Sequence, residues 1–300
     1  MRIERIYVNT YRKDFHLARV CVASIRYWYP DIPIFLIKDI RGAGDFDTST
    51  LERRFHVAIL EAGARTMGWG FGKLQPLLRP PGEAFMIMDA DTVMSGPLLD
   101  RLAYIEADVI VDDEVQPREK LLTLYYDTEK LGILDPGFTY PGYSFNTGQY
   151  AAVSGILKES DLEPFLDWGP PPGVLRPDIF KNGEQGLLNY IMQKKQAEGS
   201  IRLSRTPVMI WPEDDAANHV DLHAIRERRP VEDRVIHWAG MKGVPEQALP
   251  RTDIIHFFRD EYFRHAGPGQ RYIDFMKDSY GYARDLAVRV RMRVGKAIRV

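Results

Sequence analysis

The stretch Phe85-Met86-Ile87-Met88-Asp89-Ala90-Asp91-Thr92-Val93 decides how the rest of the chain is read. Four apolar residues run without interruption and then give way to two carboxylates at i and i+2. In extended backbone alternate side chains leave on the same face, so Asp89 and Asp91 point the same way. An unbroken apolar run is what a strand buried on both faces needs. The carboxyl end of such a strand is where open α/β sheets place their ligands. Two convergent carboxylates at that end make a site for a hard divalent cation. A solvated acidic turn is the alternative for an isolated Asp-x-Asp, so the surroundings have to decide.

Upstream of it, Ile3–Asn9 reads as a first strand. Leu17, Val20, Cys21, Ile25 and Trp28 then fall at helical spacing on one apolar face, and Pro30 ends that helix. Pro33–Ile37, Val57–Leu60 and Ala84–Met88 are compact apolar runs, and Val109–Val111 is a weaker one. Phe145–Val153 is expected to be another strand and Asp167–Pro177 a loop. Asn182 is expected to cap a helix through Leu187, Leu188, Tyr190 and Ile191. Pro207–Trp211 and Val235–Trp238 are late strands, and from about Asp253 the pattern turns helical, aromatic and basic. Strand, helix and strand in this order predict an α/β sandwich with a mostly parallel central sheet. The expected organisation is one domain over residues 1–250 and a C-terminal extension over 251–300.

With 300 residues, 45% of them hydrophobic and 27% charged, the chain has the composition of a globular protein with a sizeable core. The net charge of −2 argues against a surface built for nucleic acid. It hides an asymmetry, because residues 251–300 carry 11 Lys/Arg against 6 Asp/Glu, a net of +5, which leaves −7 for the first 250. Cys21 is the single cysteine, so neither an internal disulfide nor a Cys-x-x-Cys metal clamp can form. Arg2, Glu4 and Arg5 interrupt the N-terminus, and no secretory signal is read there. The longest uncharged stretch, Pro136–Leu157, is too rich in Gly and hydroxyl groups for a membrane span. These features lead us to expect a cytoplasmic protein, or one held peripherally at the inner face of a membrane.

Six motifs taken in order resemble those of the nucleotide-sugar glycosyltransferases of the GT-A fold, and most closely glycosyltransferase family 8. They are Asn9-Thr10 after the first strand, Gly72-Lys73-Leu74, Met88-Asp89-Ala90-Asp91-Thr92, Phe145-Asn146-Thr147-Gly148, Gly183-Glu184-Gln185-Gly186-Leu187-Leu188-Asn189, and His237-Trp238-Ala239-Gly240 with Lys242. The resemblance spans roughly residues 3 to 245. It implies a Rossmann-like three-layer sandwich and transfer of a hexose from a nucleoside-diphosphate sugar, UDP-sugar above all. The acceptor would be a hydroxyl of a glycan, glycolipid or protein.

What the resemblance implies can be carried over residue by residue. Asp89, Asp91 and His237 would bind Mn²⁺, with Mg²⁺ as the alternative, and the cation would bridge the donor's diphosphate. A shell of carboxylate, imidazole and phosphate suits Mn²⁺, and such an ion stabilises charge on a departing diphosphate as a Lewis acid. Lys73 and Lys242 would lie near the diphosphate. Asn9, Thr10 and Asn146 would contact the donor, as would Asp112 or Asp113 after the Val109–Val111 run. Glu184 and Gln185 would flank the anomeric carbon. The family pattern has Asp where this chain has Glu184, one methylene longer, and Pro-Trp where this chain has Gly243-Val244-Pro245. Gln185 would stabilise rather than attack, since an amide is a poor nucleophile. The outcome expected by analogy is therefore retention by front-face attack.

The tail alternates charge and apolarity, with Arg289, Arg291, Arg293, Lys296 and Arg299 set among Val288, Val290, Met292, Val294 and Ile298. One reading of residues 283–300 is a contact with anionic lipid. The other is packing on the chain's own domain or on a second subunit, and the strict alternation from Val288 to Val294 is that of a strand. Pro136–Ser144, Gly169–Pro177 and the tail are the candidate acceptor loops. Asp89-Ala90-Asp91-Thr92-Val93 also matches the nucleophile motif of haloacid-dehalogenase-type phosphatases, with Asp89 as the nucleophile. That motif normally opens its domain, and here it stands near residue 90. A sugar nucleotidyltransferase shares the fold class but expects a glycine-rich loop after the first strand, and Asn9-Thr10-Tyr11-Arg12-Lys13 holds no glycine. A non-catalytic binding module, the third rival, has no use for the carboxylates, His237 and Glu184-Gln185 together.

Overall fold

The apolar runs of the sequence become one sheet. In chain order its strands are β1 (Arg5–Tyr11), β2 (Ile34–Asp39), β3 (Val57–Ile59), β4 (Ala84–Asp89), β6 (Val109–Val111), β7 (Gln149–Val153) and β8 (Leu203–Arg205). A second, three-stranded sheet holds β5 (Thr92–Met94), β9 (Met209–Ile210) and β10 (Val235–His237). These coordinates are a computed structural model that describes residues 1–40, 44–60, 70–169, 172–229, 232–241 and 244–279.

The main sheet runs β8-β6-β7-β4-β1-β2-β3, and only β7 is antiparallel to its neighbours. This is the mixed α/β architecture with a mostly parallel sheet that the sequence predicts. Side chains alternate between two cores. Tyr7, Phe85, Ile87 and Tyr150 join one face with Leu187, Leu188 and Ile191 of the helix α3 (Glu184–Ala197). Ile6, Val8, Met86 and Met88 join the other with Ala18, Val22 and Ile25 of α1 (Phe15–Trp28). A strand covered on both sides has no solvated face to place polar residues on, which is why β4 reads as an unbroken apolar run. The two cores make three layers.

Strand β1 lies between β2 and β4, so the chain order reverses there. Its register sets Asn9 opposite Asp89 and Tyr11 opposite Asp39. The carboxyl ends of three central strands therefore meet at a topological switch point, where α/β sheets leave a crevice for a ligand.

Several local expectations change. The strand expected over Phe145–Val153 starts only at Gln149, because the Asn146 side chain accepts the Gly148 N–H at 2.6 Å and turns the chain before it. Asn182 does not cap α3. It sits in the left-handed region at φ 49°, and Gly183, with φ 59° and ψ −117°, leads into the helix with no side-chain cap. Asn is among the few side chains that tolerate this backbone. Within Asp167–Pro177, Gly173–Val174 pairs with Leu166–Asp167 as a short antiparallel ribbon. In the Pro136–Ser144 loop, Tyr143 is buried, and Phe138 and Tyr140 pack edge-on against Tyr126.

The C-terminal part begins with α4 (Thr252–Ala266). Its Tyr262 stacks on Phe55 of the short helix α2 (Ser49–Phe55), and its Phe258 meets Tyr27 of α1 edge-on. Residues 270–279 form one further helical stretch. Lys242 and residues 283–300 lie outside the described residues.

Candidate active site

An open cleft of about 380 Å³ lies at the switch point. That is the size range of small-molecule sites. Asn9, Thr10, Lys73, Asp89, Asp91, Asn146, Glu184, Gln185 and His237 all line it. Nine of the residues singled out from sequence thus share one cavity, although they come from six separate motifs.

His237 reaches the aspartates through strand pairing. The antiparallel register of β10 with β5 sets His237 opposite Thr92, and the Trp238 N–H donates to the Asp91 carbonyl at 3.0 Å. One donor atom from each of Asp89, Asp91 and His237 lies within 4.8 Å of the others. Two hard oxygens and one imidazole nitrogen, close to the span of a cation bound at about 2.0–2.2 Å, fit a divalent ion of the Mn²⁺ or Mg²⁺ type. His237 Nε2 lies 3.5 Å from Asp91 Oδ1, and its Nδ1 is buried with no hydrogen-bond partner among the described residues. The Trp211 indole stacks on the imidazole at 5.7 Å and 17°, and its Nε1 donates to Glu114 Oε1 at 3.0 Å. The ring is thus held from one side.

Glycine makes the cluster possible. A Cβ on Gly148 would lie 2.3 Å from His237 Cε1, 2.8 Å from Asn146 Oδ1 and 3.0 Å from Asp89 Oδ2. Gly70 has φ +78°, and a Cβ there would sit 2.1 Å from Glu184 Oε2. A side chain at either point would force these neighbours to shift.

Lys73 and Glu184 form a buried polar knot beside this cluster. The Lys73 ammonium is 2.9 Å from both oxygens of Asp89 and 3.2 Å from Glu184 Oε1, to which Thr147 Oγ1 also donates at 3.3 Å. Burial alone would lower the Lys73 pKa, but the Asp89 and Glu184 charges overcome it and hold the ammonium above its ordinary value. Burial raises the Glu184 carboxyl, and Lys73 opposes that rise without cancelling it. Glu184 opens α3, yet it is buried in this knot rather than exposed as a first-turn acid.

Gln185 is oriented on both sides. Its Nε2 donates to the Leu124 carbonyl at 3.1 Å, and its Oε1 faces the Thr147 N–H at 3.5 Å. Asn9 makes a long hydrogen bond, 3.4 Å, to Asp89 Oδ1. Thr10 Oγ1 donates to Asp14 Oδ1 at 2.9 Å.

Asp112 is elsewhere. It accepts the backbone N–H groups of Val208, Met209 and Glu114 and is not among the residues lining the cleft. Burial raises its pKa against those three donors. Asp113 does not line the cleft either. Lys242 falls outside the described residues, while Ala239 and Gly240 just before it reach the cleft. Cys21 is buried, meets Thr92 Oγ1 at 3.6 Å, and has its thiol pushed up to about 12 by burial, with Asp91 and Asp89 adding to the rise.

Tyr11, Asp14, Asp39, Thr147 and Asn182 line the cleft although none of them was expected to be a site residue. Asp39 had a signal, since it is the last residue of β2 as Asp89 is of β4. Asp14 had none, because its place depends on the turn after β1.

No known family profile and no curated protein matches the chain in sequence. Solved structures do resemble it. The bifunctional glycosyltransferase WbbM in its apo form gives a TM-score of 0.56 at 12% identity, over 92% of this chain and 52% of that one. The galactosyltransferase LgtC, in complex with donor and acceptor sugar analogues, gives 0.53 at 14% identity, over 85% of this chain and 95% of that one. The glycosyltransferase GlyE of Streptococcus pneumoniae TIGR4 gives 0.53 at 11% identity, over 85% of this chain and 60% of that one. The chain thus spans about half of WbbM and three fifths of GlyE. What these proteins have in common with it is the fold, and the chain has the fold of the GT-A glycosyltransferases.

Proposed function

We propose that this chain is a metal-dependent glycosyltransferase that moves a hexose from a UDP-sugar to a hydroxyl of a glycan, glycolipid or protein acceptor, with retention. The observation that carries the reading is the convergence of Asp89, Asp91 and His237 beside Lys73 and Glu184 at the carboxyl ends of β1 and β4. Asp89, Asp91 and His237 would hold Mn²⁺, which when bound supplies Lewis-acid stabilisation of the departing diphosphate.

The chain's own groups do the remaining work. Asn9 and Thr10 at the end of β1 and Asn146 offer hydrogen-bonding groups to the donor. Glu184, held by Lys73 and Thr147, presents a carboxylate to hydroxyls of the sugar. Gln185, tethered to Leu124 and Thr147, gives the anomeric centre a fixed dipole and no nucleophile. The acceptor hydroxyl then attacks from the face the diphosphate leaves, and its proton passes to a leaving phosphate oxygen. The glycoside gains the new carbon–oxygen bond, the nucleoside diphosphate keeps the electron pair of the broken one and takes the proton, and no covalent enzyme intermediate forms.

Thermal shift with UDP, GDP and CMP, with and without Mn²⁺, tests the site. A ligand that binds only the native state must raise apparent stability, by about 2.7 kcal/mol at a hundred times its Kd. UDP with Mn²⁺ is expected to raise the Tm, and the shift is expected to vanish in Asp91→Asn and His237→Ala while both stay folded. No metal-dependent shift with any nucleotide would falsify the assignment. Release of phosphate from a generic phosphoester, with no sugar transfer, would favour the phosphatase alternative instead.

A further inference from the structure

Residues 270–279 form a helix that is mounted inside out. At roughly 100° per residue, Tyr272, Ile273, Phe275 and Met276 fall within one arc of about 160°, and Asp274 and Asp278 stand opposite. In an ordinary surface helix the apolar arc would face the core. Here the acidic side does. Asp274 is buried and accepts the Tyr262 hydroxyl at 2.9 Å. The buried Arg19 of α1 donates to both oxygens of Asp278, at 2.8 and 3.1 Å, and lies 3.7 Å from Asp274.

The apolar side is left in solvent. Tyr272 is 69% exposed, Ile273 44%, Phe275 65% and Met276 50%. Exposed apolar residues scattered singly need no explanation, but a contiguous group of four marks a contact surface. Arg271 and Lys277 flank the arc, one on each side, with side chains 69% and 46% exposed.

We propose that this face docks on an anionic lipid surface. Three observations favour lipid over a second copy of the chain. Cations border the apolar arc on both sides, Arg271 paired with Asp260 and Lys277 with Asp47, each at 2.7 Å, and such exposed ion pairs are weak enough for an anionic headgroup to exchange with the carboxylate. The sequence that continues from the helix, residues 280–300, carries Arg284, Arg289, Arg291, Arg293, Lys296 and Arg299 against the single acid Asp285. Polybasic segments next to an apolar anchor are drawn to anionic headgroups, each charge adding to the attraction. Finally, four partly exposed side chains fall short of the about 800 Å² that each partner brings to a stable protein interface.

The two parts act together. The apolar arc inserts at the headgroup level, where Tyr and Phe are favoured. The basic sequence supplies long-range attraction, which salt screens. The charged brace through Arg19 keeps the helix from rolling its apolar side inward. This inference stands apart from the transferase reading, and its test needs no donor sugar.

The test is co-sedimentation of the full chain with vesicles of phosphatidylcholine containing phosphatidylglycerol, and with phosphatidylcholine alone. The wild-type chain is expected to partition onto the anionic vesicles and not onto the neutral ones. The variant carrying Tyr272→Ser, Ile273→Ser, Phe275→Ser and Met276→Ser is expected to lose at least tenfold in partition while keeping its Tm. A polarity-sensitive dye on Met276→Cys should shift to the blue with anionic vesicles, and Cys21, the one other thiol, is buried and out of reach. Three results would overturn the proposal. They are unchanged binding by the four-serine variant, a dye that ignores the vesicles, and a wild-type dimer that the serine variant dissolves without any vesicle binding.

Discussion

The ammonium of Lys73 lies 2.9 Å from both carboxylate oxygens of Asp89. The chain thus places a cation of its own against one of the residues proposed to hold a metal. Glu184, at 3.2 Å, is the second carboxylate on the same ammonium. All three groups are largely out of water, with side-chain exposures of 4%, 19% and 7% for Lys73, Asp89 and Glu184. Removing one member of such a group costs far more than the contact itself is worth, because a buried charge is left uncompensated.

Lys73→Met should therefore destabilise the protein by about 3–5 kcal/mol. Adding Glu184→Met should recover part of that loss, since the stranded charge goes with it. Urea denaturation of the two single variants and the double variant gives the coupling directly. Additive effects would mean that Lys73 and Glu184 do not compensate one another.

The same knot predicts a pH dependence. The Lys73 pKa is raised in the folded state above its ordinary 10.5. A raised folded-state value means that the protonated form is bound more tightly by the native protein. The stabilisation is fully present below pH 10.5 and is lost as the pH rises through the higher folded value. Wild-type stability should then fall more steeply above pH 10.5 than that of Lys73→Met. Parallel alkaline limbs in the two proteins would contradict this.

Gly148→Ala tests the metal cluster through packing alone. Its Cβ would meet His237, Asn146 and Asp89 at 3.0 Å or less. Overpacking of this kind costs about 1–3 kcal/mol, which a chain of this size should survive. The variant should stay folded and lose the Tm shift given by Mn²⁺ with UDP. A folded variant that keeps the full shift would separate Gly148 from the site.

Trp211 bears on the proposed metal site through His237. Its ring lies 5.7 Å from the imidazole, nearly parallel, and is anchored by Glu114. Residues that orient a ligand typically contribute 10–100-fold to metal affinity. Trp211→Ala should weaken Mn²⁺ binding by about tenfold, read by the electron paramagnetic resonance of free Mn²⁺, and Trp211→Phe should retain most of it. Equal affinities in all three proteins would reduce Trp211 to a packing residue.

Features set by a few consecutive residues were legible in the sequence. The unbroken apolar run ending in Asp89 and Asp91 and the helical spacing after the first strand are properties of a few consecutive residues. They located β4 and α1 to within a residue or two. The strand expected at Phe145 and the cap expected at Asn182 failed at turns. There the backbone is set by contacts such as Asn146 with the Gly148 N–H, and no periodicity reports them. Asp112 looked like its neighbours in composition, yet its carboxylate is occupied by the backbone of Val208 and Met209. That arrangement arises only when β6 and β9 come together.

The layer order, the positions of the buried strands and the acidic pair at a strand end follow from local sequence. Hydrophobic periodicity and side-chain alternation are read along the chain, one neighbour at a time. What meets that pair is set by the folded chain. The pairing of β10 with β5 carries His237 to Asp91, the turn at Gly70 brings Lys73 to Asp89 and Glu184, and the brace on Arg19 turns an apolar helix face outward. Contacts between distant segments depend on strand register and on which faces are left to pack. Those are properties of the assembled fold rather than of any one stretch of sequence.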